Sequence, residues 1–235
     1  MVGLLELGSV MMSSSARRLE VTSQNVANTS TPGYKRQITF QDALSVAHHT
    51  ASAPSNVAYT DYSQGALRVT GAPLDLALSG AGFFQLRGDD GLYLSRSGQF
   101  HRAVDGRIIN AQGLFLQTSD GQDLFLRSER AEILSDGVVL EDGMPVARIG
   151  VFEVGADTEL RALGGSLFAA ADGAMEEAPS PSVRQGALES ANVEMSEEVI
   201  TMMAALRRAE AGARVVQAYD TLTGQALSTF GRVQR

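Results

Sequence analysis

The chain has 235 residues, is 44 % hydrophobic and carries a formal charge of −8 at pH 7. It can bury a sizeable core, but it lacks the basic balance expected of a nucleic-acid binder. Cysteine is absent, which excludes disulfides and thiolate metal sites and suits either the cytosol or a chain exported unfolded. No apolar run approaches the roughly 20 residues needed to cross a bilayer, so direct membrane insertion is not expected.

The N-terminal stretch reads as helix. Steps of four and three from Leu5 select Leu5, Ser9, Met12, Ala16, Leu19, Ser23 and Val26, a heptad-type seam in which small residues alternate with large apolar ones. Arg17 and Arg18 come after the apolar residues rather than before them, unlike a Sec-type signal peptide. The helix is predicted to stop after Val26, with Asn28 in the left-handed conformation that a short amide tolerates. Pro32-Gly33 then suits the centre of a type II turn, the proline presetting φ and the glycine supplying positive φ. Tyr34 follows as an anchor. Residues 1–34 are therefore taken as the N-terminal helix of a helical core domain.

Residues 35–64 are polar, carry His48-His49 and read as an extended arm. From 65 to 178 short apolar stretches alternate with Asp-Gly pairs at Asp90, Asp105, Asp120, Asp136 and Asp142, the pair favoured in tight hairpins. Strands are predicted at 75–78, 83–86, 92–96, 99–103, 107–110, 115–117 and 146–152. Their core faces are Leu74, Leu76, Leu78, Phe83, Leu86, Tyr93, Phe100, Ile108, Phe115, Ile149 and Val151. This antiparallel β-domain is expected to fold by itself. Pro179 and Pro181 open a return linker over 179–190. Residues 191–235 hold the C-terminal helix, with Ser196 as its N-cap, Glu197-Glu198 in its first turn, and a second seam. That seam runs through Val199, Met202, Leu206, Ala209, Ala213, Val216, Asp220, Thr223, Leu227 and Phe230. The fold class is α+β, with terminal helices paired as a coiled-coil-like domain around an inserted antiparallel β-domain. The seams pair helix with helix without saying whether the partner lies in the same molecule.

No catalytic, cofactor or metal constellation stands out. Gly80-Ala81-Gly82-Phe83-Phe84-Gln85 begins like a dinucleotide loop but leads into a strand. Neighbouring His48 and His49 on an extended arm point apart, so they make a poor metal pair.

Three motifs carry a family resemblance. The first is Asn25-x-x-Asn28-x-x-Thr31-x-Gly33-Tyr34. The second is Gln64-Gly65-Ala66-Leu67-x-x-Thr70-Gly71-x-Pro73-Leu74-Asp75-Leu76-Ala77 with Gly80-x-Gly82-Phe83-Phe84. The third is Gly186-x-Leu188-Glu189-x-x-Asn192-Val193 with Glu197-Glu198-Val199-Ile200. In this order they resemble the flagellar rod and hook proteins, the proximal rod type most and the distal type second. The resemblance implies a structural subunit of the bacterial basal-body rod in the periplasm, without enzymatic activity. It implies copies of itself and other rod proteins as partners, and export by the flagellar type III apparatus without a cleaved signal peptide. The assembly interface it implies comprises Leu5, Met12, Leu19, Val26, Asn28, Gly33, Tyr34, Val199, Met202, Leu206, Val216, Leu227 and Phe230. The alternative from another class is a secreted β-rich binding or adhesin-like protein whose terminal helices form a closed hairpin.

Overall fold

The computed structural model describes residues 2–39, 58–128, 131–155, 160–170 and 175–232; His48 and His49 lie outside these. Two helices, α1 (Val2–Ala27) and α2 (Met195–Arg232), bracket a set of short antiparallel strands, so the class is α+β. The chain divides into two units. One comprises 1–27, 37–61 and 194–235; the other comprises 28–36 and 62–193.

In the first unit α1 and α2 pair, and β1 (Gln37–Thr39) with β2 (Ala58–Thr60) forms a two-stranded ladder. α2 begins two residues earlier than a Ser196 cap allows, with Glu194 in the cap position. The carbonyl of Glu194 accepts from the Glu198 N–H, while the Ser196 hydroxyl turns back to the Glu194 carboxylate. Glu197 and Glu198 sit in the first turn, where carboxylates meet the positive end of the helix dipole.

The second unit is built on short ladders. β3 (Leu67–Val69) pairs with β18 (Ala187–Glu189), and β4 (Leu76–Leu78) with β17 (Val183–Gln185). The largest sheet runs β14 (Arg161–Gly164), β15 (Leu167–Ala169), β6 (Gly91–Ser95), β5 (Phe83–Gly88), β9 (Phe115–Leu116), β8 (Ile108–Asn110), β7 (Phe100–Arg102). β13 (Val151–Val154) joins it through β5 and pairs also with β16 (Met175–Glu177). A further sheet is β10 (Glu132–Ile133), β11 (Val138–Glu141) and β12 (Met144–Arg148). The stretch expected as one strand over 146–152 is two, broken where Ile149 and Gly150 donate to Gly137 and Gln117 instead of to a ladder.

Alternation placed most of the core correctly. Leu74, Leu76, Leu78, Phe83, Leu86, Phe100, Ile108, Ile149 and Val151 are buried. Tyr93 packs at the edge of the main cluster, and Phe115 is half-buried with Arg87 and Arg107 against its ring. All five Asp-Gly glycines have positive φ. Asp142 joins them as the one non-glycine residue of that kind among the described residues, giving the doubly left-handed pair of a type I′ hairpin.

Two boundaries differ from the expectation. Residues 179–190 are not a linker: they carry β17 and β18, and Val183 belongs to the main core cluster. Lys35 is not on a solvated arm; it is buried in the same unit. These strands are only three residues long and mix polar with apolar side chains, so they show no local period to read. A fragment of residues 65–178 leaves β3 and β4 without partners. It is expected to lack a cooperative unfolding transition, whereas residues 28–193, which hold the whole second unit, should unfold in a single urea transition. A cooperative transition for 65–178 would show that β17 and β18 are dispensable.

Candidate assembly surfaces and the buried crossing

The two helices of the first unit meet through small and polar residues. On α1 the buried positions include Gly8, Ser15 and Thr22, spaced by seven, with Val21 and Asn25 beside the last of them; on α2 they are Glu198, Ala205 and Gly212, again spaced by seven. A Cβ on Gly8 would come within 2.9 Å of a Val216 methyl, and one on Gly212 within 3.0 Å of Met12 Cγ. Both glycines therefore set how closely the backbones approach. At the other end Asn25 works as a polar clasp. Its amide exchanges two hydrogen bonds with the Gln37 backbone, at 2.8 and 2.9 Å, as a strand residue would. It also donates to the Glu198 carboxylate at 3.2 Å. A buried carboxylate is tolerated only with such donors.

The buried seam thus runs one residue earlier than the large apolar residues suggest. Leu5 and Met12 are exposed, as are Val199 and Leu206; Leu19, Val26, Met202 and Val216 are half-buried. The side chains of Leu227 and Phe230 lie outside the described ones. Val199, Ile200, Met203 and Leu206 are between 39 and 68 % exposed. The face richest in large apolar groups is therefore open, and burying one such side chain is worth about 1.5–3 kcal/mol.

In the second unit the motifs around residues 28–36, 62–65 and 186–192 converge on one buried cluster. Thr31 to Tyr34 close the expected turn, with the Tyr34 N–H donating to the Thr31 carbonyl and Gly33 at φ 68°. Asn28 is not left-handed. Its carbonyl accepts from the Thr31 N–H and its side chain from the Thr31 hydroxyl, so it braces the turn from the helical side. Gly33 donates to the Glu189 carbonyl at 2.8 Å, and a Cβ there would overlap the Arg96 carbonyl carbon at 2.2 Å. Tyr34 is buried beside it. Asn192 accepts from the Arg36 N–H at 2.7 Å and donates to Ser63, tying the outgoing and incoming chains together.

The centre of this crossing is Glu189. One carboxylate oxygen accepts from Lys35 Nζ at 2.6 Å and from the Gly65 N–H at 2.9 Å; the other accepts from Arg96 Nη1 at 3.1 Å. Lys35 donates also to the Ser63 carbonyl, and Arg96 to that of Gly80. All three charged side chains are almost wholly buried. Burial pushes the Arg96 guanidinium below its usual value, with Glu189 opposing the shift. Sequence reasoning missed this site. Its one local signal was that Gly65 and Glu189 each sit inside a recognised motif, which does not reveal that they touch.

Comparison with known proteins fits this geometry. Residues 12–35 match the model "Flagella basal body rod protein", 77–163 match "Flagellar hook protein FlgE/F/G D1 domain", and 184–229 match "Flagellar basal body rod FlgEFG protein C-terminal". The chain belongs to the flagellar basal-body rod and hook protein family. The first and third of these models cover two of the three segments that converge at the crossing, those around Lys35 and Glu189, and the second covers Arg96 and most of the β-structure between them. The flagellar hook protein FlgE of Brucella abortus is 34 % identical over 120 residues, 48 % of this chain and 30 % of the hook protein. This chain therefore spans under a third of the hook proteins it matches. The basal-body rod protein FlgF of Caulobacter vibrioides is 24 % identical over 231 residues, covering 92 % of this chain and 93 % of the relative. FlgG of Agrobacterium fabrum is 27 % identical over 258 residues, covering 93 and 95 %.

Proposed function

We propose that this chain is a structural subunit of the bacterial flagellar basal-body rod, polymerising through its terminal helices into the shaft that transmits torque around the export channel. The observation that carries this reading is that small and polar residues hold most of the buried positions of the helix pair while Leu5, Val10, Val199, Ile200, Met203 and Leu206 stay exposed. A self-sufficient hairpin has no use for that arrangement, since exposed apolar surface of this kind marks an interaction site. Stacked copies of α2, 38 residues and about 57 Å long at roughly 1.5 Å per residue, would give a wall that resists twisting. The matches to rod-family models at both helical ends favour this over the secreted adhesin-like alternative.

In this reading Leu5, Met12, Val199 and Leu206 meet other subunits, while Gly33 and Tyr34 fix the crossing. The partners are copies of this chain and other rod proteins; the location is the periplasmic rod; the route is the flagellar type III apparatus; and no catalysis is involved. Identity does not separate the FlgF and FlgG types. Length and the Thr70-Gly71-Ala72-Pro73-Leu74-Asp75 wording favour the proximal FlgF type.

Leu206→Glu tests the reading. Because Leu206 is about half exposed in the single chain, the variant should keep the urea midpoint within about 0.5 kcal/mol of the parent. It should nevertheless abolish swimming, since a carboxylate would enter an apolar contact at a cost of several kcal/mol. Normal motility of a strain carrying Leu206→Glu would remove this face from the assembly.

A further inference from the structure

We infer that residues 182–192 are a closing segment: the second unit stays unfolded until this stretch, which carries the last strands in the chain, reaches it. The inference concerns that unit alone and does not rest on the rod reading above. Among the described residues β3 and β4 have no ladder partners besides β18 and β17, yet Leu76 and Leu78 of β4 belong to the main core. The segment adds Val183 to that core and buries Ala187 and Leu188. It also bonds to each part around it. The Ser182 carbonyl accepts from the Ser79 N–H, and the Val183 N–H donates to the Ser135 carbonyl, both at 2.8 Å. The Gln185 side chain accepts from the Ile133 N–H at 3.1 Å and donates to the carbonyls of Pro73 and Ala131, each at 2.8 Å. The Gly186 carbonyl accepts from the N–H groups of Thr70 and Gly71, and its own N–H donates to the Asp75 carbonyl. Glu189 and Asn192 then hold the chain around Lys35 and Ser63.

Backbone pairing makes this segment decisive. Leu76, Ala77 and Leu78 are at most 2 % exposed, so water cannot replace the partners that β17 supplies, and a buried N–H or C=O needs one. The contacts are also far apart in sequence. Lys35 and Glu189 are separated by 154 residues, and Arg36 and Asn192 by 156. Hairpins such as β5–β6 and β11–β12 can pair locally, but an isolated ribbon of this kind is marginal in water. Closing the long loop comes before its contacts can reward it. The unit is therefore completed by its last strands. In a chain that leaves a channel N-terminus first, everything ahead of the segment stays threadable, and folding follows once residue 192 is out.

Two experiments that start from the full-length chain test this. A protease site inserted after the exposed Ser180 should let the folded protein be cut into two pieces that stay together. After separation in urea and dilution, the piece ending at Ser180 should show no cooperative urea transition. An excess of a synthetic peptide of residues 181–193 should restore a single one. The same peptide carrying Gly186→Pro should not, because proline can neither adopt φ 72° nor donate to Asp75. In the uncut chain, Gly186→Pro should speed amide exchange by about a hundredfold or more at Ile108, Gln117 and Leu124. These three donate to Leu124, Gln85 and Leu116, not to the segment. Gly164→Pro is the control. It meets the same conflict, at φ 105°, in the edge strand β14 and should leave the three amides protected. A piece ending at Ser180 that refolds by itself overturns the inference, and so does one that the peptide fails to restore. A Gly186→Pro chain that keeps the three amides protected, or an equal loss of protection with Gly164→Pro, overturns it as well.

Discussion

Replacing Glu189 by glutamine is expected to lower the unfolding free energy of the chain by about 3–5 kcal/mol, the range for breaking a buried ion pair from one side. The amide keeps the shape and its oxygen can still accept, but its NH2 faces a donor in place of the second oxygen, and it leaves Lys35 and Arg96 as two buried cations with no counter-charge. Lys35 Nζ lies 2.6 Å and Arg96 Nη1 3.1 Å from the Glu189 carboxylate, which is fully covered, so water cannot replace the lost partner. Adding Lys35→Met to Glu189→Gln should recover part of the loss, because one of the stranded charges goes with it. A urea-denaturation double-mutant cycle separates this coupling from the simple loss of a side chain. A Glu189→Gln midpoint within about 0.5 kcal/mol of the parent would mean the cluster is solvated, and its role as the tie of the crossing would fall.

The second large effect is at Gly33. Its φ of 68° strains any β-branched residue, at roughly 1–3 kcal/mol. A valine there must also move the Arg96 backbone, which a Cβ would approach to 2.2 Å, and so loosen the Gly33 N–H bond to Glu189. Gly33→Val should therefore cost more than about 3 kcal/mol, with loss of the native circular dichroism signal at lower urea. Gly71 supplies the control. It has φ 76° but open space around its Cβ, so Gly71→Ala should cost only the backbone strain, about 1–2 kcal/mol. Equal losses at Gly33→Ala and Gly71→Ala would show that close approach contributes nothing at the crossing.

Both effects bear on assembly. The crossing joins segments that precede and follow the β-structure, with Lys35 and Glu189 more than 150 residues apart. A chain in which either is disturbed is expected to be exported, because transit needs no native contacts, but to fail to hold its place in the rod.

Local chemistry by itself determined much of this protein. Pro32-Gly33 could only be a turn of one type, five Asp-Gly pairs marked left-handed glycines, and alternation placed Leu76, Leu86 and Ile108 in the core. Each of these is decided by the conformational range of one or two residues or by a period of two, which the chain displays along its length. The tertiary structure alone decided the helix seam and the crossing. Large apolar residues at heptad spacing lie one residue away from the most buried positions of the intrachain pair, because the two helices approach closely at Gly8 and Gly212, whose missing side chains give no hydrophobic signal. Lys35, Arg96 and Glu189 are residue types expected at the surface, and nothing local says that three distant segments bring them together. Their burial is tolerable only because each charge finds the others, and that satisfaction exists only once the chain has folded.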